Sequence, residues 1–347
     1  MNIEAAATAN QNGLELFAAA DPDKATDFLK KAYRHWADEK GILVNLGLAL
    51  MQQGYPDKAA HCYKLAISST ELRTRRSARK NLGFLHLWRG EWQTGWHLHG
   101  KRFESEKFLA SQWQGEPLNK HPLVVWNDVG MGDAFHFVRY TLPLIDRGEK
   151  IIFAVHKSQV SIFSKYLAWP LYKVVDRETI DLEACIHIPL MSLIPLLDNS
   201  TEWGRKWDKR TWKQISPSSS QGQIGICWAS NPGDPSMHNY KSSSPGELLD
   251  VFKIDRAATE IISLQTDEPE VHKRMGLLQP KLCWLETLKQ ISNCKLILSV
   301  DTAVAHLAAG ANKPVKMLLP KIPDWRWQQA LGARPCWYPN LTLKQRP

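Results

Sequence analysis

Residues Lys295 to Pro314 read KLILSVDTAVAHLAAGANKP, and few arrangements accommodate such a stretch. Leu296, Ile297, Leu298 and Val300 form a nearly continuous apolar run, as a strand covered on both faces requires. Asp301 and Thr302 follow at once, and both are side-chain types that cap helix N-termini. Val304, Leu307, Ala308 and Ala311 then recur at helical spacing until Asn312, Lys313 and Pro314 stop the helix. A second apolar run, Val315 to Leu319, completes a strand–turn–helix–strand unit. Such a unit belongs to a parallel α/β sheet, whose ligands bind where strands finish and helices begin. Thr302 and His306 are i, i+4 neighbours on a face the apolar stripe does not use, and amides at that helix start suit a phosphate. Two readings stand open: a phosphate site, or a capped core helix with a surface histidine.

A second strand-to-helix turn lies earlier in the chain. The strand Leu123–Trp126 leads into the loop 127–133, NDVGMGD, and an amphipathic helix over Ala134–Ile145. Gly130 and Gly132 would allow a sharp turn and close approach to a ligand. The dinucleotide fingerprint is incomplete, because Phe135 stands where its last glycine belongs. Asp133 at the helix start fits either a cap or a general base that takes a proton from an acceptor hydroxyl. Alternation continues with strands over Lys150–Val155, Tyr172–Val175 and Cys185–Pro189 and a helix over Ser158–Leu167. The polar stretch Asp198–Gln223 breaks it, with Trp203, Trp207 and Trp212 as packing anchors. A strand over Ile224–Trp228 and a proline-broken loop over Ala229–Glu247 follow, where Lys241 and Ser242 could hold a diphosphate. Helices over Glu247–Phe252 and Trp284–Ser292 and a strand over Glu260–Gln265 precede the opening unit. At the C-terminal end, Asp324, Arg326, Trp325 and Trp327 are read as pinning the chain to the sheet.

The first hundred residues repeat. Gly13 and Gly47 are 34 residues apart, and Ala25 with Ala59 and Ala32 with Ala66 keep that interval. A third copy follows, with 81–83 (NLG) echoing 45–47 and Gly90 echoing Gly54. This spacing of small residues resembles the tetratricopeptide repeat, whose stacked helix pairs commonly bind a peptide on the concave side. The basic run Leu72–Lys80 (LRTRRSARK) reads as a solvated helix face, and it lacks the interleaved aromatics of single-strand binders, which argues against nucleic acid. Trp92 and Trp96 read as a seal between the repeats and the next domain.

Composition narrows the class. A net charge of +9 invites anionic partners, and six cysteines without a CxxC pair fit reduced thiols in a cytoplasmic protein. No apolar run approaches the roughly 20 residues of a membrane span, and the N-terminus lacks the pattern of a secretory signal. No His, Cys, Asp and Glu cluster has metal-ligand spacing.

Four stretches, GEWQTGWHLHGKRF, VGMGDAFHFVRYTLPLIDRG, HIPLMSLIPLL and SVDTAVAHLAAGANKPVKMLLPKIPDWRW with CWYP behind it, resemble bacterial tetratricopeptide-repeat proteins with a glycosyltransferase region similar to the ADP-heptose heptosyltransferases. The resemblance implies an α + α/β chain of GT-B type: helical repeats over 1–110, an acceptor-side Rossmann-like half over 111–200, a linker over 201–222, and a nucleotide-sugar-binding half over 223–347. It implies metal-independent, inverting transfer of a sugar from a nucleotide diphosphate donor, with no other cofactor, to a protein, peptide or glycan acceptor docked by the repeats. Asp133 would be the base, Asp301, Thr302 and His306 would line the diphosphate site, and Lys241 with Ser242 would supply the phosphate-binding cation. Lys241-Ser242 stands where the family usually has Arg-Ser. The alternative is a non-catalytic interaction scaffold with a degenerate glycosyltransferase-like domain.

Overall fold

The computed structural model describes residues 2–103, 106–167, 173–197, 222–280, 283–328 and 337–346. The linker over 201–222 (apart from Gly222), the anchors Trp203, Trp207 and Trp212, and Tyr172 lie outside these residues.

The chain opens with three helix hairpins: α1 (Ile3–Ala18) with α2 (Pro22–His35), α3 (Lys40–Gln52) with α4 (Pro56–Ala66), and α5 (Leu72–Trp88) with α6 (Trp92–Gly100). Each hairpin turns in the same way. Asp21, Tyr55 and Glu91 donate their amides to Leu16, Leu50 and His86 carbonyls five residues back, each at 2.9 Å. This is the six-to-one bond that closes a helix around a left-handed residue. Gly54 (φ +83°) and Gly90 (φ +78°) supply that residue, while the first hairpin uses Ala20 (φ +59°). The recurring glycines set how closely the paired helices approach. A β-carbon at Gly13 would lie 2.7 Å from Leu29 Cγ, and one at Gly83 would lie 2.9 Å from the Gly95 carbonyl oxygen.

Two parallel sheets follow. The first has the order β3-β2-β1-β4, formed by β1 (Leu123–Trp126), β2 (Ile151–Val155), β3 (Lys173–Asp176) and β4 (His187–Pro189). Around it pack α7 (Met131–Phe137), α8 (Leu142–Asp146), α9 (Val160–Tyr166) and α10 (Leu193–Leu197). The single helix expected over Ala134–Ile145 is three pieces, because a 3-10 segment, Val138–Thr141, separates α7 from α8. Pro143 brings no amide to continue an α-helical ladder, and Thr141 Oγ1 bonds back to the Val138 carbonyl at 2.7 Å.

The second sheet has the order β6-β5-β7-β8-β9, from β5 (Gln223–Cys227), β6 (Ile261–Ser263), β7 (Cys294–Val300), β8 (Val315–Leu319) and β9 (Leu341–Gln345). Its helices are α11 (Pro235–Lys241), α12 (Pro245–Val251), α13 (Pro269–Met275), α14 (Trp284–Asn293), α15 (Ala303–Gly310) and α16 (Trp325–Gln328). The loop expected over Ala229–Glu247 therefore contains a helix. Asp234 caps it by accepting the Met237 amide, and Pro235 occupies the first turn, where its missing N–H costs nothing.

The three parts share one apolar core. A continuous cluster of buried side chains runs from Leu87 and Trp96 of the hairpins, through Val125 and Phe137 beside the first sheet, to Ile297 and Trp325 in the second α/β unit. Among the described residues no helix is long and apolar enough to cross a membrane.

Candidate active site

In each sheet the strand order reverses beside the strand that feeds the candidate residues. From β1 the chain runs outward through β2 and β3, then returns to place β4 on the other side of β1. From β5 it goes out to β6 and returns to place β7 on the other side of β5. The carboxyl end of a strand at such a switch point is where an open parallel sheet leaves a crevice. Gly130 to Asp133 follow β1, and Asp301 and Thr302 follow β7.

The helix starts of the two units meet directly. A β-carbon on Gly132 would come within 3.0 Å of His306 Cδ2 and 3.3 Å of Ala303 Cα, so α7 and α15 approach at the distance a glycine permits. Neither Gly130 nor Gly132 has a positive φ, so neither uses the left-handed backbone that favours glycine. Gly132 serves close helix approach, and Gly130 is the extended N-cap of α7.

Asp133 carries both roles open to it in the sequence. Its Oδ2 accepts the Gly130 amide at 3.0 Å, closing the first turn of α7. Its Oδ1 accepts from the Arg326 guanidinium, across the boundary between the units. Burial pushes the Asp133 carboxyl above its ordinary value, and the charges of Arg326 and His306 hold that rise back.

Thr302, and not Asp301, caps α15: its Oγ1 accepts the Ala305 amide at 3.3 Å. Asp301 instead points at Lys241, with Nζ 2.7 Å from Oδ2, while His306 Nε2 lies 3.6 Å from Oδ1. Burial alone would raise the Asp301 carboxyl, but Lys241 and His306 outweigh it and hold Asp301 well below the usual carboxylate range. Burial opposes the charge on Lys241 as well, yet Asp301 and Asp324 raise its affinity for a proton. Ser242 lies one residue on, and its Oγ accepts the Ser230 amide at 3.0 Å, tying the start of the β5–α11 loop to the C-cap of α11.

His306 is not a surface residue; it is 4% exposed. His136, fully buried on α7, faces it with Nδ1 3.2 Å from His306 Nδ1. Arg139 NH2 lies 2.9 Å from His136 Nε2, and a guanidinium only donates, so that nitrogen accepts. Burial, followed by the charge of Arg139, pushes His136 well below the ordinary histidine range, so it is neutral and carries its proton on Nδ1. That proton is directed at His306 Nδ1 or at Tyr338 Oη, which lies 3.0 Å from His136 Nδ1 and 3.1 Å from His306 Nδ1. With either partner His306 Nδ1 is the acceptor, which places the proton of a neutral His306 on Nε2, facing Asp301.

The two units thus bring together Asp133, Lys241, Asp301, Thr302 and His306. Arg326 NH1 also bonds Asp324 Oδ1 at 2.7 Å. Asp324 and Arg326, expected from sequence to pin the chain end, belong to this cluster, and so do His136, Arg139 and Tyr338, for which the sequence raised no expectation. Polar residues interrupting the apolar run 134–142, AFHFVRYTL, with His136 and Arg139 three apart on one face, were the available signal. Among the described residues no group of three His, Cys, Asp or Glu is placed to hold a metal ion.

No protein-family model matches the chain, and no curated protein matches it. Solved structures that it resembles include glycosyltransferases. E. coli heptosyltransferase WaaC with ADP aligns at TM-score 0.42 and 12% identity over 65% of this chain and 93% of that one. The dodecameric iron-containing heptosyltransferase TibC, in complex with ADP-D-beta-D-heptose, aligns at TM-score 0.39 and 11% identity over 58% of this chain, and the match takes in only 59% of the TibC chain. A mutant O-GlcNAc transferase from Thermobaculum terrenum aligns at TM-score 0.36 and 12% identity over 90% of this chain and 75% of that one.

Proposed function

We propose that the protein is a glycosyltransferase of GT-B type, which moves a sugar from a nucleotide diphosphate donor to an acceptor docked by the helix hairpins. The observation that carries this reading is the meeting of Asp133 with the Lys241–Asp301–Thr302 group where two parallel sheets present their switch points to each other. In the reaction Asp133 takes the proton of an acceptor hydroxyl. The hydroxyl oxygen forms a bond to the anomeric carbon, and the bond from that carbon to the diphosphate breaks with its electron pair leaving on the phosphate. Lys241 and the amides at the start of α15 receive the charge that develops there, so the reading uses no metal ion. Asp301 acts on Lys241 rather than on the donor, because a carboxylate in contact with a diphosphate would repel it. An Asp133 carboxyl raised by burial is a stronger base once ionised, which suits its role.

A transfer and hydrolysis assay over a panel of nucleotide-sugars tests this. At least one donor should turn over, and Asp133→Asn should lower turnover by about 10²–10⁴-fold. Full turnover in Asp133→Ala removes the base assignment. A non-catalytic scaffold is favoured by a different observation: every charge at the site already has a partner, Lys241 with Asp301 and Arg326 with Asp133 and Asp324. Nucleoside diphosphate binding without turnover of any donor assigns the protein to that class.

A further inference from the structure

Arg326 holds Asp133, and the placement of Arg326 is decided one residue earlier. Trp325 is 3% exposed, and two rings lie nearly parallel to its own. Phe84 of α5 has its centroid 6.5 Å away and its plane 13° off, and Phe137 of α7 lies at 6.2 Å and 11°. Trp96 of α6 meets it edge-on at 5.5 Å. The three stacked rings come from the helix hairpins, the second α/β unit and the first α/β unit in turn. The Arg326 guanidinium lies over this stack, 4.5 Å from the Trp325 centroid and 5.1 Å from that of Phe137. Its backbone is tied by the Trp337 indole N–H, which donates to the Arg326 carbonyl at 2.6 Å, and by the Arg326 amide, which donates to Asp324 Oδ1 at 3.0 Å. Backbone, rings and Asp324 thus hold the guanidinium against Asp133.

We infer that Trp325 and Arg326 are positioning residues for Asp133, and that the helix hairpins set the protonation of Asp133 through the Phe84–Trp325 contact. The hairpins are then part of the site and not only a docking surface beside it. A ligand or partner that displaces Phe84 or Trp96 frees the guanidinium and changes the proton affinity of a carboxylate in another unit of the fold. The inference deepens the transferase reading, in which Asp133 is the base, but its test does not require that reading to hold. Besides Arg326, the titratable groups facing Asp133 are His306, Asp324, Lys241 and Tyr338, so each variant must leave them in place.

The experiment is a carbon-13 titration of the aspartate carboxyls in the full chain, with the Asp133 resonance identified as the one lost in Asp133→Asn. A cation beside a carboxylate lowers its midpoint by about 1–3 pH units, so Arg326→Gln should raise the Asp133 midpoint by that amount. Phe84→Leu and Trp325→Leu should raise it in the same direction by at least about half a unit, a part of that same effect. Trp325→Phe, which keeps a ring in the stack, should restore the wild-type midpoint. A merely structural role for Trp325 would change stability and leave the midpoint alone. If Trp325→Leu does not fold, Phe84→Leu, which removes the hairpins' near-parallel ring beside Trp325, decides. An unchanged Asp133 midpoint in folded Arg326→Gln or folded Phe84→Leu overturns the inference. A shifted midpoint in a protein that binds no nucleoside diphosphate keeps the inference and rejects the transferase reading.

Discussion

Replacing Lys241 by Met removes an ammonium group from 2.7 Å of a carboxylate whose side chain is 7% exposed. His306 Nε2, at 3.6 Å, then remains as the polar group facing Asp301 from α15. Breaking a buried pair from one side costs about 3–5 kcal/mol, because the other charge stays buried. The Lys241 side chain is 20% exposed, so water can enter the space left behind, and the lower end, about 3 kcal/mol, is expected. Asp301→Asn should cost less, about 1–2 kcal/mol, because the ammonium can turn toward that opening and toward Asp324. The double variant should cost about 2 kcal/mol less than the sum of the two. Native-state hydrogen exchange at the amides of β7 and β8 reads the opening of this unit without requiring the whole chain to unfold in one step. The sign with pH follows from the Asp301 carboxyl being held below its ordinary 3.8. Its contribution is complete above that value and is lost as pH falls below it, and Lys241→Met should weaken that dependence, leaving the part due to His306. The raised Lys241 contributes in full below 10.5 and loses its contribution as pH rises through its folded value. Single variants that add to within about 0.5 kcal/mol of the double would refute the coupling.

His99 and His136 are both driven well below 6.5 by burial, so the unfolded chain gains protons there before the folded one does. Urea midpoints should be flat above pH 6.5 and fall below it, by up to about 1.4 kcal/mol per pH unit for each histidine; a fall that begins only below pH 4.5 contradicts their neutrality. Gly132→Val adds bulk at a point 3.3 Å from Ala303 Cα, and should cost about 1–3 kcal/mol of overpacking, seen as lost exchange protection at both β1 and β7. Ala20→Gly relieves the left-handed strain at φ +59° and should raise the thermal midpoint by the equivalent of about 0.5–1 kcal/mol. A diphosphate bound beside Asp133 and Asp301 raises their affinity for protons. Binding should therefore take up protons and tighten as pH falls, by no more than about tenfold per pH unit for each proton, which calorimetry in buffers of different ionisation enthalpy will show.

Elements marked by long-period patterns were legible in the sequence. The spacing of Gly13, Gly47 and Gly83 gave away three helix hairpins, because only a missing side chain lets paired helices close to that distance. The apolar runs of β1, β2, β7 and β8 gave away parallel strands buried on both faces. Elements held by local caps were harder to see. Asp234-Pro235 signals a turn as readily as a helix start, so α11 was read as loop. Leu341–Gln345 is exposed at several positions as an edge strand, and its alternation of Leu341 and Leu343 with Thr342 and Lys344 is too short to mark a strand. At the site, Asp133 and Thr302 were visible because each follows a strand end, and Lys241 because it is a cation beside serines in the polar stretch after β5. Asp301 looked like a cap because Asp and Thr share that propensity, and only the position of Lys241, 60 residues earlier, shows which of the two is free to cap. Arg326 could not be assigned from sequence. Its partner Asp133 is 193 residues away, and the ring stack that aims it draws on three separate parts of the chain.

The central claim is that the meeting point of the two sheets holds a nucleoside diphosphate. Calorimetric titration of the full chain with ADP, UDP and GDP tests it most directly. At least one of the three should bind saturably at millimolar concentration or below, and more weakly in Lys241→Met under conditions where hydrogen exchange shows the second unit folded. Absence of binding by all three at millimolar concentration, or equal affinity in folded Lys241→Met, would contradict it.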